Sequence, residues 1–194
     1  MKVPLHTERL TLRGPDPAAA ETINSAIRDS FAELTQWLPW ADHVPSVDET
    51  REHLSRARDA FRAGEDLGLF VWDNKSDVFV GAVGLHARLA DTSRREIGYW
   101  IRTSAAGRGY ATEAVQAVAR AALTHMSLSA VEIHVNARNL PSQKVALRAG
   151  FRVAREEAGR PDPDGRPSRV LVYEMRAPPP EPDAAGRTRS TSRR

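Results

Sequence analysis

The sequence predicts an α/β fold with a mixed, twisted sheet of about six or seven strands flanked by about four helices. Two observations support this. Short runs of strand-forming residues alternate with helical patterns along most of the chain, and some neighbouring runs are separated only by a short turn signal. Helical crossovers place strands in parallel and tight turns place them antiparallel, so we expect both kinds of neighbour in one sheet.

The local pattern predicts eleven elements. Apolar or alternating runs are predicted strands, at residues 9–13, 67–73, 77–86, 95–101, 130–135, 151–157 and 168–175. Runs with helical periodicity or bounded by helix caps are predicted helices, at residues 17–30, 46–63, 111–126 and 141–149.

Capping residues indicate where three of these helices begin. Asp16 stands before a proline, Ser46 and Glu49 form a capping box, and Asn139 precedes the last helix. The third helix carries small and apolar residues at helical spacing, at Ala114, Val115, Val118, Ala122 and Met126. It joins strands 95–101 and 130–135, which should therefore be parallel neighbours with a right-handed crossover.

Composition indicates a soluble enzyme built on one domain. The chain has 194 residues, of which 41% are hydrophobic and 27% charged. It contains no cysteine, which excludes disulfides, thiolate metal sites and a cysteine nucleophile. No run approaches the length of a membrane span, and the first residues lack the apolar stretch of a secretory signal. We therefore expect a cytoplasmic location.

Residues 177–194 differ from the rest of the chain. They are rich in Pro, Ser and Arg and lack aromatic residues, so we expect a disordered tail after a domain spanning residues 1–176. The tail has four arginines against two acidic residues, and the whole chain has a net charge of +3. The body is therefore nearly neutral, and nucleic-acid binding is not expected of it. An RNA- or ribosome-binding role for the tail stays open.

A glycine loop precedes the third helix. Gly107 and Gly109 flank Arg108, immediately before the helical pattern. The loop fits neither the P-loop nor the dinucleotide fingerprint, whose third glycine is replaced here by Thr112. Backbone N–H groups of residues 105–110 would point outward beside the positive end of the helix dipole. These residues either cradle an anion such as a diphosphate or form a plain connection.

Three segments in order, "EIGYWI", "GRGYATEAV" and "VNARNLPSQKVALRAGF", resemble the GNAT N-acetyltransferases. The likeness is to their RimJ/RimL-like branch, which acetylates ribosomal proteins, and it covers about residues 7–175. The family's pyrophosphate loop begins with Gln or Arg, where this chain has Ser104, while Gly107 and Gly109 match. Arg102 is the nearest arginine and is the candidate to replace that side chain.

The resemblance implies that acetyl-CoA is the acyl donor and that no metal is needed. It implies that the strands around the third helix splay apart, so that the pantetheine arm bonds free backbone groups near residues 99–102. The implied cofactor-binding residues are Tyr99, Trp100, Ile101, Arg102, Ala106, Gly107, Arg108, Gly109, Tyr110, Ala111, Asn139 and Ser142.

The implied reaction is direct attack of an amine on the thioester, which needs a proton acceptor and a proton donor. Glu96 is the candidate base, and the alternative is that it pairs with Arg94 or Arg95 at the sheet surface. Ser142 is the candidate donor to the CoA thiolate, or else a helix-surface serine. Tyr99 and Tyr110 are alternative donors.

Glu113 lies in the first helical turn, where the dipole favours any acid, and a structural role is expected for it. His86 and His134 lie in predicted strands without metal-ligand partners at useful spacing, so both are expected to be structural and no zinc site is expected.

The acceptor is expected beside an irregular segment around residues 36–43. Trp37 and Trp40 would wall a pocket there, one of them buried and the other lining the cleft, and Asp42 beside His43 would attract a cationic amine. The alternative is that both tryptophans cover the edge of the core.

The sequence therefore predicts an acetyl-CoA-dependent N-acetyltransferase. Its acceptor would be a protein N-terminal α-amine or a small amine such as an antibiotic. A non-catalytic acyl-CoA-binding module and a succinyl-CoA-using enzyme remain alternatives, and a homodimer is possible in this branch.

Overall fold

A computed structural model describes residues 3–87, 90–159 and 167–178. The strands are β1 (Leu5–His6), β2 (Leu10–Arg13), β3 (Asp66–Asp73), β4 (Phe79–His86), β5 (Arg94–Ile101), β6 (Ala130–Asn136), β7 (Arg152–Ala158) and β8 (Arg169–Arg176). The α-helices are α1 (Ala20–Asp29), α2 (Phe31–Leu34), α3 (Val47–Ala63), α4 (Tyr110–His125) and α5 (Leu140–Arg148). Short 3₁₀ turns occur at Pro17–Ala19 and Thr103–Ala105.

All eight strands form one mixed sheet in the order β1-β2-β3-β4-β5-β6-β8-β7. Most neighbouring pairs are antiparallel, and β5 with β6 is parallel. The connection between these two strands is α4, the helix that the sequence places there. The predicted mixed α/β sheet is thus confirmed, as is the parallel pair around the third predicted helix.

Two apolar cores lie on opposite faces of the sheet. On one face, α4 contributes Val115 and Val118 to a core with alternate strand residues such as Ile97 and Ile133. On the other face, α1 and α3 cover Phe70 and Phe79. Alternation along the strands therefore assigns side chains to the α4 face or to the α1–α3 face, and in β4 a bulge beside Val80 shifts the alternation by one residue.

The predicted caps form. The Asp16 carboxylate accepts a hydrogen bond from the Ala18 N–H at 2.9 Å, and Ser46 with Glu49 closes a reciprocal capping box at the start of α3. The Asn139 side chain accepts from the Ser142 N–H at 3.0 Å. Each of these contacts joins residues at most three apart, which explains why local pattern sufficed to predict them.

Three details differ from the expectation. The structure adds a two-residue strand, β1, and a four-residue helix, α2, both too short to give a periodic signal. Met126 forms the cap that follows α4 instead of lying within the helix.

The predicted disordered tail lies, from residue 179 onward, outside the described residues. No helix in the described part of the chain is long and apolar enough to cross a membrane.

The parallel pair β5–β6 separates along its length. Register partners join Arg94, Arg95 and Glu96 to the start of β6, and no partners follow although β5 continues to Ile101 and β6 to Asn136. The two strands therefore bound a gap that opens after Glu96. This is the splayed arrangement that the sequence resemblance implies.

Candidate functional site

The glycine loop stands at one end of the gap, where it leads into α4. Gly107 and Gly109 both have positive φ, 76° and 82°, which side-chain-bearing residues adopt only with strain. A Cβ at Gly107 would meet no described atom within 4 Å, so the space outside the loop is open. The glycines thus shape a bare backbone that faces outward at the start of a helix.

The N–H groups of this loop divide into two sets. Those of Ala105 and Ala106 bond to the carbonyls of Arg102 and Thr103, which corrects the expectation that N–H groups point outward from Ala105 onward. The N–H groups of residues 107–112 have no acceptor among the described residues. They line up beside the positive end of the α4 dipole, which is the environment that binds phosphate groups.

Contacts from the turn between β1 and β2 hold the loop and the start of α4. Glu113 accepts hydrogen bonds from the Thr7 hydroxyl at 2.6 Å and from the Arg9 side chain at 2.7 Å, and Arg9 also donates to the Arg108 carbonyl. Burial alone would raise the pKa of Glu113, but these hydrogen bonds lower it. Glu113 is therefore an ionised anchor for α4, in agreement with the structural role expected for it.

The side chain of Tyr110 also helps to hold the start of α4. Its hydroxyl donates to Asp73 at 2.6 Å and its ring lies 4.9 Å from the Arg9 guanidinium carbon. The hydrogen bond from Tyr110, with further ones from Ser76, lowers the pKa of Asp73 to about 2. Tyr110 is thus committed to Asp73, at the edge of β3.

Tyr99 and Ser142 meet where the gap between the strands is bounded by α5. The Tyr99 hydroxyl lies 2.7 Å from the Ser142 hydroxyl oxygen and 3.1 Å from the Ser142 carbonyl. Burial raises the pKa of Tyr99 to about 12, although the contact with Ser142 opposes the shift. Tyr99 is therefore a protonated hydroxyl at neutral pH, and Asn139 fixes the backbone beside it by capping α5.

Backbone alternation decides which groups of β5 face the gap. The Arg102 N–H bonds to Val80 in the strand on the other side, β4. Antiparallel pairing therefore directs the backbone groups of Trp100 toward β4 as well, and those of Tyr99 and Ile101 toward the gap. Of the expected contacts at residues 99–102, the geometry thus favours Tyr99 and Ile101.

The side chains of Trp100 and Arg102 also point elsewhere. The Trp100 ring lies in the aromatic cluster on the α1–α3 face, 5.6 Å from the ring of Phe79. The Arg102 guanidinium pairs with Asp29 at 3.0 Å. Arg102 is therefore engaged with α1 and is not free to replace the side chain missing at Ser104, which lies exposed in the 3₁₀ turn.

Glu96 lies at the vertex where β5 and β6 separate. Its side chain shares the α1–α3 face with Trp100, as strand alternation predicts, and it is half-buried. No described residue hydrogen-bonds to or pairs with its carboxylate. The alternative pairing with Arg94 is wrong, because Arg94 binds Glu132 and Glu174; Arg95 bonds to backbone carbonyls.

Glu132, the register partner of Glu96, is fully compensated. Arg155 binds both of its oxygens, at 2.9 and 3.0 Å, and Arg94 and His134 supply further contacts. Burial raises its pKa, but the bonds from Arg155, His134 and Arg94 outweigh this and lower it to about 2. The neighbouring carboxylates thus differ. That of Glu132 is held by several buried hydrogen bonds, while that of Glu96 has no partner among the described residues and can accept a proton.

The irregular segment before α3 lies over the same face but is more exposed than expected. Trp37 and Trp40 are 38% and 49% exposed, and the Trp40 ring lies 6.3 Å from the ring of Trp100. The expectation that one of the two is buried is wrong, because Phe79 and other residues already fill this core.

Asp42 and His43 pair with each other at 2.8 Å on the surface. The hydrogen bond between them lowers the pKa of Asp42 and raises that of His43.

Sequence reasoning missed two parts of this site. Arg9 holds the glycine loop and Asp73 holds Tyr110 at the start of α4. Both lie far from these partners in sequence, and no local sequence pattern marks them. Among the described residues, no group of three or more His, Cys, Asp or Glu side chains is placed to hold a metal ion.

Known proteins resemble this chain in sequence and in fold. Residues 9–152 match the acetyltransferase (GNAT) domain family. The chain is 30% identical, over 74% of its length, to YdaF of Bacillus subtilis (strain 168), which bears the name of a ribosomal N-acetyltransferase; the match covers 78% of that protein.

Two solved structures share the fold. RimL, a ribosomal L7/L12 alpha-N-protein acetyltransferase in complex with coenzyme A, superposes with a TM-score of 0.79 at 21% identity, over 90% of this chain and 98% of RimL. MccE, the microcin C7 self-immunity acetyltransferase in complex with acetyl-CoA and AMP, also gives 0.79, at 19% identity, over 88% and 93%.

Proposed function

Because the chain belongs to the GNAT acetyltransferase family, and to its RimJ/RimL-like branch, we propose that it moves an acetyl group from acetyl-CoA to a primary amine. The observation that carries the proposal is the gap between β5 and β6, with a row of free N–H groups at one end and the Tyr99–Ser142 pair along its side.

The donor fits this gap in two respects. The free N–H groups of residues 107–112 suit a diphosphate, and a bare Gly107 lets it approach closely. The backbone groups of Tyr99 and Ile101 suit the amides of a pantetheine arm lying along β5 as an added strand. RimL and MccE, which share the fold, bind coenzyme A and acetyl-CoA respectively. Acetyl-CoA is therefore the donor that we propose.

The chemistry requires removal of protons from an ammonium group and protonation of a thiolate. We assign the first task to Glu96, because it is half-buried at the vertex and has no partner among the described residues. We assign the second task to the Tyr99–Ser142 pair, because its hydroxyls border the gap. A direct attack that needs no covalent intermediate accords with the lack of cysteine.

The acceptor side is the α1–α3 face, because Glu96 opens onto it. We propose the α-amine of a ribosomal protein N-terminus as the acceptor, following the names of YdaF and RimL. An extended N-terminus suits the half-exposed aromatic wall of Trp40 and Trp100. A small-molecule amine is the alternative that the experiment below separates.

The first test is a thermal-shift titration with acetyl-CoA, with ATP and NAD as controls. A ligand at 100 times its Kd stabilises a fold by about 2.7 kcal/mol, which gives a clear shift. Stabilisation by acetyl-CoA alone is expected. A well-folded sample that responds to none of the three ligands would contradict the proposal.

The second test measures CoA release with a panel of acceptors. It contains peptides that begin with Ser or Ala, the same peptides with blocked N-termini, and small primary amines. Turnover with free but not blocked peptides is expected. Turnover with small amines alone would show that the acceptor is a small amine and not a protein N-terminus. Thermal stabilisation by acetyl-CoA without turnover of any acceptor would indicate a binding module.

A further inference from the structure

A row of ionisable side chains crosses the sheet at the level of Glu96. Asp66 of β3 is the register partner of His86 of β4, and His86 is the register partner of Glu96. Directly opposed residues share a face, so all three lie on the α1–α3 face. The row thus leads from the edge of α3 to the vertex of the gap.

The imidazole of His86 occupies space that two glycines leave free. A Cβ at Gly84 would lie 2.5 Å from His86 Nε2, and one at Gly98 would lie 3.4 Å from the same nitrogen. Gly84 and Gly98 are themselves register partners, two residues along the strands from His86 and Glu96 and on the same face. The ring therefore extends over Gly84 toward β5, and its Nε2 lies close to Gly98.

The other ring nitrogen fixes the protonation pattern. His86 Nδ1 lies 2.7 Å from a carboxylate oxygen of Asp66. An ionised carboxylate only accepts, so Nδ1 carries the proton and a neutral imidazole keeps a lone pair on Nε2. The His86 side chain is 18% exposed. A proton-accepting nitrogen thus lies over Gly98, beside the vertex, with access to solvent.

Asp66 and Glu96 face His86 from the neighbouring strands. On α3, burial lowers the pKa of His53, with Arg56 acting in the same direction and Asp66 opposing it. His53 is therefore largely neutral at neutral pH, and the negative charge of Asp66 stays available to His86.

We propose that His86, held by Asp66, is a second proton acceptor for the amine, an inference that rests on the proposed acetyl transfer. The acceptor enters as an ammonium group, and His86 Nε2 takes one proton from it. The freed lone pair bonds to the thioester carbon as the carbon–sulfur bond breaks. Glu96 takes the second proton from nitrogen, and the Tyr99–Ser142 pair supplies one to sulfur. One proton in net reaches solvent, so the reaction balances.

Replacing His86 tests this assignment directly. In His86→Gln, kcat for the best acceptor of the panel should fall by about 10²-fold, the effect typical of one acid–base group. The thermal shift with acetyl-CoA should stay at its wild-type size. His125→Gln, an exposed histidine at the end of α4, is the control and should leave the rate unchanged. A wild-type kcat in His86→Gln would overturn the proposal.

Glycine variants separate chemistry from packing. Gly84→Ala drives a methyl group into the imidazole, so it should lower kcat as His86→Ala does, and it should add nothing in the His86→Ala background. Gly68→Ala is the matched control, since Gly68 is the register partner of Gly84 and its Cβ would meet nothing within 4 Å. Additive losses from Gly84→Ala and His86→Ala would assign the effect to packing and contradict the proposal.

A spectroscopic readout is independent of turnover. Long-range ¹H–¹⁵N correlation spectra of the neutral imidazole, assigned with His86→Gln, should show the Nδ1–H tautomer, and Asp66→Ala, which removes the acceptor, should abolish that preference. An Nε2–H tautomer in the wild type would overturn the proposal, because Nε2 then has no lone pair to offer. If wild type neither binds acetyl-CoA nor releases CoA, the proposed function fails and the role of His86 fails with it. If wild type turns over and His86→Gln matches it, this inference alone fails.

Discussion

The hydroxyl groups of Tyr99 and Ser142 lie 2.7 Å apart and join β5 to α5 beside the gap between the parallel strands. Neither position is near the other in sequence, and each was a separate candidate for the same proton-donating task. Their contact makes them one unit, because either hydroxyl can donate to the other. Tyr110, the third candidate, is removed from this role by its bond to Asp73.

If this pair protonates the leaving thiolate, Ser142→Ala and Tyr99→Phe should each lower kcat by about 10²-fold. The double variant should be no slower than the slower single one, since groups that act as a unit give non-additive losses. The measurement is steady-state CoA release at saturating acetyl-CoA, with the thermal shift as a control for binding. Two fully additive losses would mean that the hydroxyls act separately.

Glu96→Gln should lower kcat by about 10²-fold and leave acetyl-CoA affinity unchanged, because the amide keeps the shape of the side chain but cannot accept the proton. Glu65→Gln, an exposed acid just before β3, should have the wild-type rate. The comparison uses CoA release with both variants at equal thermal stability. An unchanged kcat in Glu96→Gln would show that groups other than Glu96 accept the proton from the amine.

Gly107→Val should abolish tight binding of acetyl-CoA, because the side chain occupies the space through which the diphosphate approaches. Gly64→Val is a matched control: Gly64 caps α3 with φ 75°, against 76° at Gly107, and it too has open space around a Cβ. Both variants should lose about 1–2 kcal/mol of stability from the left-handed backbone. Titration calorimetry with acetyl-CoA should then separate them, and equal affinities would place the diphosphate elsewhere.

Glu132→Gln should destabilise the fold at pH 7 by about 1–3 kcal/mol, because Arg94 and Arg155 lose their bonds to a buried carboxylate and keep only Glu174 and Glu157 as partners. The folded pKa of Glu132 is lowered to about 2 from an ordinary value of 4.5. Its contribution is therefore complete above about pH 4.5 and is lost as pH falls toward 2.

The free energy of unfolding of wild type and of Glu132→Gln is measured with urea at pH 7 and at pH 3.5. The difference between the two proteins should be smaller at pH 3.5. Glu52→Gln, an exposed acid on α3, should change stability little at either pH. A difference independent of pH would argue against the ionised network.

Ending the chain after Ala177 should leave stability and acetyl transfer intact. The Ala177 N–H bonds to the Ser129 carbonyl at 3.0 Å, which completes the backbone contacts of the last strand, β8. Thermal unfolding and CoA release check this, and a gel-shift assay with RNA tests whether the arginine-rich segment binds nucleic acid. A clear fall in turnover at unchanged thermal stability would show that the segment takes part in catalysis.

Much of the local structure could be read from short stretches of sequence. Asp16, the Ser46–Glu49 box and Asn139 cap their helices as predicted, since each acts on backbone within three residues. The glycines at 107 and 109 were recognisable because left-handed backbone favours glycine wherever it occurs. Of these features, Gly107, Gly109 and Asn139 lie in the segments that carry the family resemblance.

Contacts between distant segments could not be read in this way. Arg94 was an expected partner of Glu96 because the two are neighbours in sequence, yet cross-strand pairing brings Glu132 and Glu174 to it. The same reason hid Arg9 and Asp73, which hold the start of α4 from more than 35 residues away. His86 read as a structural strand histidine until the register placed Asp66 on one side of it and Glu96 on the other.

The sequence by itself therefore determined the order of the main elements, most of the helix starts and the glycine loop, because near neighbours along the chain decide these. The tertiary structure decided which carboxylate is free and which is paired, that Tyr99 meets Ser142, and where the parallel strands part. Those outcomes depend on strand register, and register is set by the burial of whole faces, which no short stretch of sequence contains.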